Sequence, residues 1–190
     1  MGIEYELKFN ATEETLHAVR QALGGAWTRY DMRTTYYDTP DRALSARKWT
    51  LRRRLENGVG VCTLKTPAGL GRREYEVRRD TIEEAVLELC KLSAPEELMG
   101  LTADGVKPVC GASFTRFARL VELPDGVVEV ALDSGELFSG ENRQPLCELE
   151  VELKTGEPVA VQSFALELAA QFPLVPETKS KFKRALALAR

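Results

Sequence analysis

Apolar and polar residues alternate along several segments of the chain, with the period of two that is typical of β-strands. In residues 3–9 (IEYELKF), two acids and a base, Glu4, Glu6 and Lys8, share one face, and apolar side chains take the other. The same alternation predicts further strands at roughly 35–38, 49–56, 60–66, 72–79, 115–123, 127–133 and 147–154. The chain is therefore rich in strands that have one apolar and one polar face.

Apolar residues recur with a helical period in four other segments, which are 11–25, 80–92, 158–172 and 177–190. Thr12 is placed to cap the first helix, and Thr81 with Glu84 forms the capping-box pattern of the second. The short segments ENGVG and TPAGLG favour hairpin turns between neighbouring strands. We therefore predict a single α+β domain, residues 1–190, built on a closed or nearly closed antiparallel β-barrel of eight strands with helices packed outside.

Composition narrows the class of protein. A net charge of −3 over 190 residues argues against a dedicated nucleic-acid binder. The four cysteines are scattered without a Cys-x-x-Cys pair, which indicates reduced thiols rather than a zinc site or disulfides. Neither a signal peptide nor an apolar run long enough to cross a bilayer is present in the sequence. We expect a cytoplasmic protein with no membrane partner.

The polar faces of the strands carry charges that cluster by sign. Arg52 and Arg54 share a face that excludes Arg53, and Glu148, Glu150 and Glu152 follow one another on a late strand. Each strand alone fits a solvated face, but ordinary solvated faces mix in neutral polar residues. Clustered carboxylates repel unless a cation lies between them, and such oxygen ligands favour Mg²⁺, Mn²⁺ or Ca²⁺. Clustered Arg and Lys suit phosphate oxygens. If the sheet curls, its interior becomes a charged tunnel for a metal–polyphosphate complex.

Several of these segments, in the same order, resemble the blocks of the CYTH superfamily, the triphosphate tunnel metalloenzymes. The Glu-x-Glu-x-Lys signature is matched by EYELK, and the later blocks by YYDTP, LRRR, TLK, RREYE, CELEVELKTG and a closing SK. The chain looks most like the bacterial inorganic triphosphatase branch. The resemblance implies an eight-stranded tunnel, a divalent metal (Mg²⁺ or Mn²⁺), and hydrolysis of inorganic triphosphate or another triphosphate-containing small molecule. It also implies that a helical CHAD domain can follow in a longer parent chain.

Carried over by motif, the resemblance implies three groups of site residues. Those expected to bind metal are Glu4, Glu6, Asp133, Glu150 and Glu152. Those expected to bind substrate are Lys8, Arg52, Arg54, Lys65, Arg72, Arg119 and Lys181. Catalytic roles are expected for Lys8, Glu74 and Asp133. Two assignments stay open: Arg116 or Arg119 fills the late arginine position, and any two of Glu148, Glu150 and Glu152 fill the late acidic pair.

Other functions compete with this hypothesis. A thiamine triphosphatase or a class IV adenylate cyclase would use the same tunnel. A non-catalytic polyphosphate- or RNA-binding module would need the basic strands but not the acids; Trp49 in RKWTLRRR invites an RNA interpretation, but alternation splits its arginines between two faces. His17, the single histidine, falls in a predicted outer helix, and we interpret Tyr36 and Tyr37 as packing residues.

Overall fold

The computed structural model describes residues 2–69 and 71–189 and contains ten strands and six helices in these ranges. The strands are β1 (Gly2–Glu4), β2 (Glu6–Asn10), β3 (Thr28–Asp38), β4 (Thr50–Glu56), β5 (Val59–Ala68), β6 (Gly71–Arg78), β7 (Lys107–Leu123), β8 (Gly126–Ser139), β9 (Asn142–Gly156) and β10 (Val175–Pro176). The helices are α1 (Glu13–Leu23), α2 (Ala43–Ala46), α3 (Ile82–Lys91), α4 (Glu97–Leu101), α5 (Pro158–Gln171) and α6 (Lys181–Ala187). The predicted α+β class is confirmed.

All ten strands belong to one antiparallel sheet, in the order β1-β6-β5-β4-β3-β7-β8-β9-β2-β10. This order is open, so the prediction of a closed eight-stranded barrel is not confirmed. The N-terminal segment, predicted as one strand, is divided at Tyr5: β1 pairs with β6, whereas β2 pairs with β9 near the other end of the order. The two-residue β10 adds a strand that the sequence pattern did not indicate.

The break at Tyr5 brings distant parts of the sheet together. Only this residue separates β1 from β2 along the chain, and its carbonyl accepts a hydrogen bond of 2.9 Å from the Leu153 amide in β9. The first strand of the order, β1, and the second-last, β2, are thus connected through a single residue. The inner faces of β6 and β9 consequently line the same cavity.

The outer, apolar faces of the strands are covered by helices. Helices α1 and α5 pack on β2, β8 and β9 through a core that includes Val19, Val151 and Phe164. Helices α3 and α4 pack on β4, β5 and β6 through a second core that includes Leu64 and Leu89. Burial of these side chains is the main favourable term for such layered packing. The charged faces are left pointing inward.

Helix α6 packs against the inside of the sheet. Its Phe182 lies with Tyr36, Phe114 and Leu146 in a third apolar cluster built from the inner faces of β3, β7 and β9. The inner face is therefore apolar at one end, where α6 covers it, and charged beyond that. The sequence predicted a C-terminal helix but not that it would pack on the inner face of the sheet.

Local signals in the sequence explain how the helices begin. Thr12 accepts a hydrogen bond from the Thr15 amide at the start of α1, and Thr81 accepts one from the Glu84 amide at the start of α3, as predicted. Within YYDTP, the buried Asp38 carboxylate accepts from amides of the α2 turn, so this acid has a structural role.

Over the described residues, no helix has the length and apolar character needed to cross a membrane.

Candidate active site

The curved sheet encloses a cavity of about 240 Å³ lined almost entirely by charged side chains. Among the sequence-predicted site residues, those that line it are Glu4, Glu6, Lys8, Arg52, Arg54, Lys65, Arg72, Glu74, Glu150, Glu152 and Lys181. Asp133 lies just behind the wall and contacts lining residues, and Arg119 lies elsewhere. The alternation of polar and apolar residues along the strands therefore predicted most of the charged residues that line the cavity.

Strand register places opposite charges in one pair, and like charges in the next, directly across from each other on neighbouring strands. Lys8 of β2 lies opposite Glu150 of β9, and the next inward pair along these strands is Glu6 opposite Glu152. Residues opposite each other in an antiparallel pair share a face and have Cβ atoms about 5 Å apart. The two glutamates of the second pair repel each other, so that position favours a bound cation.

Arg52 and Arg54, two residues apart on β4, form one part of the cavity lining, the arginine wall. Arg54 is buried, and burial together with the neighbouring Arg52 and Arg116 guanidinium groups lowers its pKa to about 10. Its nearest polar contacts are Thr34, whose hydroxyl accepts from Nε at 3.0 Å, and Glu56 at 3.8 Å. The Arg52 Nε is buried without a hydrogen-bond partner in the described part of the chain. This wall attracts an anion.

Another part of the lining holds four carboxylates, Glu4, Glu6, Glu129 and Glu152, that share three lysines. Lys65 Nζ lies 2.6 Å from both oxygens of Glu4, and Lys8 Nζ lies 2.7 Å from Glu6. Lys154 lies 3.0 Å from Glu152 and 3.3 Å from another lining acid, Glu129.

The pKa values of these acids diverge accordingly. Burial by itself would raise the pKa of Glu4, but the Lys65 ammonium outweighs it and the pKa is lowered. Burial, with the negative charges of Glu150 and Glu4, raises the pKa of Glu6 in spite of Lys8. Burial raises the pKa of Glu152 in spite of Lys154, with Glu4 and Glu129 adding to the rise. Glu6 and Glu152 thus carry negative charge that the protein does not fully balance.

A second acidic group lies where α6 meets the sheet. One oxygen each of Asp133, Glu148 and Glu150 lie within 4.8 Å of one another. Lys181, the first residue of α6, lies 2.8 Å from Asp133 and 2.7 Å from Glu150, and it also pairs with Glu148. Arg116 donates two hydrogen bonds of 2.7 Å to Asp133 and pairs with Glu150. Cationic side chains therefore occupy the space between these three acids.

Glu148 is the member of that group whose negative charge is least compensated by its surroundings. It is fully buried and pairs with Lys181 and with Arg184 of α6. Burial, partly offset by Lys181 and reinforced by the Glu150 charge, raises its pKa to about 7. The group works as an ion-pair anchor for α6.

The two groups of carboxylates differ in how far the side chains of Lys and Arg already occupy the space where a hard divalent cation would lie. Both groups offer oxygen ligands, which suit Mg²⁺ and Mn²⁺. The cluster of three acids already has Lys181 and Arg116 between its oxygens. The glutamate wall, formed by Glu4, Glu6 and Glu152, lines the open cavity, and Glu6 and Glu152 are its least balanced acids. These residues, with Glu150, which borders both groups, could hold a metal.

Arg119 does not contact the cavity, so its predicted position was wrong. Its guanidinium donates to the carbonyls of Leu23 and Gly24 and ties β7 to the end of α1. Arg116, the alternative that the sequence left open, lies opposite Asp133 and lines the cavity. Residues three apart on a strand point to opposite faces, so only one of the two arginines can face inward.

Arg72 lines the cavity but has backbone partners. One of its terminal nitrogens donates to the carbonyls of Lys48 and Lys65 and to the Thr50 hydroxyl. These bonds join the ends of β4, β5 and β6. Glu74, on the same strand, lies 3.5 Å from Arg52 and 3.6 Å from Lys65 and can orient both.

Besides Arg116, the lining residues outside the predicted site set are Tyr36, Thr50, Glu56, Glu76, Glu129, Lys154, Ser180 and Phe182. Arg184, which anchors α6, was not predicted either. The signal for Lys154 was available, because it follows Glu152 by two positions and must share its face. No local pattern marks Arg184, whose partner Glu148 is 36 residues away in sequence. His17 lies exposed on α1, outside the cavity, as predicted.

Comparisons with known proteins agree with this architecture. The CYTH domain family model matches residues 2–186. The chain is 33% identical over 159 residues to an inorganic triphosphatase of Haemophilus influenzae, an alignment that covers 81% of this chain and 45% of that protein. The chain thus spans a little under half the length of this curated relative.

Solved structures show the same fold. The PH1819 protein of Pyrococcus horikoshii is 25% identical, with a TM-score of 0.66 over 97% of this chain and 98% of that one. HpAC1 of Hippeastrum, named as an adenylyl cyclase candidate with a dominant triphosphatase activity, is 17% identical, with a TM-score of 0.63 over 98% of this chain and 96% of that one. With a family match across nearly its whole length and a relative one-third identical, the chain belongs to the CYTH domain family.

Proposed function

We propose that this chain is a divalent-metal-dependent triphosphatase that hydrolyses inorganic triphosphate to diphosphate and phosphate. The observation that supports the proposal is that one cavity holds both a buried arginine, Arg54, whose positive charge is little balanced, and two glutamates, Glu6 and Glu152, whose negative charge is little balanced. A metal–triphosphate complex has the complementary distribution, with phosphate oxygens on one side and a cation on the other. The triphosphatase name of the Haemophilus relative supports the same activity.

The basic side chains would bind the substrate. Arg52 and Arg54 would receive phosphate oxygens, because their buried guanidinium groups have only distant carboxylate partners, Glu74 at 3.5 Å and Glu56 at 3.8 Å. Arg116, which Asp133 and Glu150 already hold, would lie beside them. Lys8 and Lys65 would each exchange a glutamate for a phosphate oxygen when a metal binds Glu6 and Glu4. Charge-assisted bonds of this kind are short and strong, and they fix the substrate chain in one orientation.

The metal would be held by Glu4, Glu6, Glu152 and Glu150. When bound, it would supply charge neutralisation at the phosphate oxygens and activation of a water molecule. The protein's own part is positioning and electrostatic stabilisation, which dominate phosphoryl transfer.

The three predicted catalytic residues would act in different ways. Lys8 would contact the substrate directly. Glu74 would orient Arg52 and Lys65, between which it lies. Asp133, fully buried, would hold Arg116 and Lys181 in place rather than ligate the metal.

The size of the cavity supports a small inorganic substrate. Its volume of about 240 Å³ lies below the range of about 300–1,000 Å³ that is typical of pockets for drug-sized organic ligands. A thiamine triphosphatase or an adenylate cyclase would need room for an organic group as well. A non-catalytic polyphosphate- or RNA-binding module would not need the glutamate wall. Residues 1–190 would form one tunnel domain, with the curved sheet as the wall of the tunnel.

The experiment is phosphate release from inorganic triphosphate, ATP and thiamine triphosphate, each with Mg²⁺, with Mn²⁺ and with excess chelator. We expect inorganic triphosphate to be hydrolysed fastest, and chelator to abolish the activity because the glutamate wall then repels the substrate. Faster release from ATP or thiamine triphosphate would contradict the substrate assignment. Unchanged turnover in chelator would contradict the metal requirement.

A further inference from the structure

Tyr36 lies in the arginine wall, although its sequence context suggested a packing residue. Its side chain is 4% exposed and lines the cavity. In the β3–β4 ladder Tyr36 lies directly opposite Arg52, and Thr34, two residues earlier, lies opposite Arg54. The phenol therefore stands on the same inward face as both arginines.

The Tyr36 ring and its hydroxyl have different surroundings. The ring packs against Phe182 of α6, with ring centroids 5.1 Å apart. The side chain lines the cavity together with Arg52, Arg54 and Lys181, and no hydrogen bond joins its hydroxyl to a described residue. In contrast, the Tyr5 hydroxyl accepts a hydrogen bond of 2.7 Å from Gln162. Arg and Lys side chains have no hydrogen-bond acceptor, so Arg52, Arg54 and Lys181 cannot accept a hydrogen bond from the Tyr36 O–H group.

We propose that the Tyr36 hydroxyl donates a hydrogen bond to the phosphate group bound between Arg52 and Arg54, which makes Tyr36 a substrate-binding residue. This inference rests on the proposed function, since it takes a phosphate chain as the ligand of the cavity. An O–H donor to an anionic oxygen forms a strong, short bond. The hydrogen bond would also orient the phosphate group, because packing of the ring against Phe182 fixes the position of the hydroxyl.

The protonation state of Tyr36 supports a donor role. Burial raises the pKa of the phenol, although Arg52, Arg54 and Lys181 act in the opposite direction. The phenol therefore keeps its proton at neutral pH. A phosphate oxygen that enters between the arginines supplies the acceptor that the protein lacks.

Tyr37 is a matched control in the next position. It points to the opposite face of β3, where it packs at the edge of the core formed by β4, β5, β6 and α3. Tyr37→Phe removes a hydroxyl from the same strand without touching the cavity. Tyr36→Phe keeps the ring contact with Phe182, so α6 stays packed in both variants.

The experiment measures tripolyphosphate binding by titration calorimetry, with and without Mg²⁺, for wild type, Tyr36→Phe and Tyr37→Phe. We expect Tyr36→Phe to raise Kd about tenfold, the loss of one hydrogen bond to a charged group, and Tyr37→Phe to leave Kd unchanged. The near-ultraviolet difference spectrum of tyrosine on addition of tripolyphosphate should be present in wild type and Tyr37→Phe and reduced in Tyr36→Phe. Melting temperatures should be alike in all three proteins.

The outcomes separate this inference from the proposed activity. Equal Kd values for wild type and Tyr36→Phe overturn it, even if the wild type hydrolyses triphosphate. A wild type that binds tripolyphosphate without hydrolysing it, with weaker binding in Tyr36→Phe, supports it while the proposed hydrolysis fails. A wild type that does not bind tripolyphosphate overturns both.

Discussion

Glu4 and Glu152 line the same cavity, yet their surroundings give them opposite electrostatic properties. Lys65 Nζ lies 2.6 Å from both oxygens of Glu4, and this contact outweighs burial and lowers the pKa of Glu4. Glu152 shares Lys154 with Glu129, and burial outweighs that partner and raises the pKa of Glu152. A lowered pKa means that the folded state favours the charged form, and a raised pKa means the reverse.

The two acids should therefore respond differently to neutralisation in the metal-free protein. The charge of Glu4 stabilises the fold above its unfolded pKa of 4.5, and this contribution is lost as pH falls through the lowered folded pKa. At neutral pH, Glu4→Gln should lower the free energy of unfolding by about 1–3 kcal/mol, because a buried charge-assisted bond is lost. The deficit should shrink as pH falls below 4.5.

For Glu152 the dependence of folding stability on pH has the opposite sign. Its folded state is favoured while the acid is protonated, and this stability is lost as pH rises above 4.5 through the raised folded pKa. Glu152→Gln should therefore match wild type in acid and equal or exceed it at neutral pH. Thermal melts in chelator between about pH 4 and about pH 8 measure both variants against wild type. A neutral-pH loss in Glu152→Gln as large as that in Glu4→Gln would mark Glu152 as a structural ion-pair partner.

At the scale of one element, strand β4 shows how alternation divides its arginines. Arg52 and Arg54 line the cavity, whereas Arg53 lies on the face of Leu51, which packs under α3. The ladder with β5 places Arg53 opposite Cys62, a residue of that outer core, and confirms the register predicted from the sequence. A slip of one residue would exchange the two faces.

This division predicts the kinetics of alanine variants. Arg52→Ala should raise KM for inorganic triphosphate by roughly tenfold or more, because a charge-assisted phosphate contact is lost. Arg53→Ala should leave kcat and KM nearly unchanged, whatever it does to the melting temperature. Steady-state phosphate release compares the two. Equal loss of activity in both variants would contradict the inward assignment of the strand.

At the scale of the whole molecule, the negative net charge of the chain repels anions, whereas the arginine wall of the cavity attracts them. The chain carries a net charge of −3, yet the arginine wall inside it attracts anions because positive charge is concentrated and buried there. The charged pairs of the cavity wall and of the α6 anchor are shielded from solvent by the sheet. A substrate, in contrast, approaches through solvent and is exposed to screening.

Salt should consequently act on binding more than on folding. Raising ionic strength from about 0.05 M to about 0.5 M shortens the Debye length several-fold and weakens long-range attraction of the substrate. KM for triphosphate should rise over this range at saturating Mg²⁺, while the melting temperature changes little. A large fall in melting temperature with an unchanged KM would show that the interior charges stabilise the fold rather than attract the substrate.

The sequence by itself determined which residues share a face and where the longer helices begin. A strand alternates with a period of two and a helix is capped by its own neighbours, so the inward Arg52 and the capping Thr12 follow from adjacent residues alone. These properties are local, and the ordered motifs of the family are carried by such local patterns.

Tertiary structure decided which faces meet and what fills the space between them. The break at Tyr5, the role of Arg116 rather than Arg119, and the pairing of Lys181 and Arg184 with Glu148 all depend on register and on docking of α6. Partners that lie 33 and 36 residues apart leave no periodic signal in the sequence. They are selected by packing of the entire sheet, because a buried charge is tolerated only where the fold brings its counter-charge.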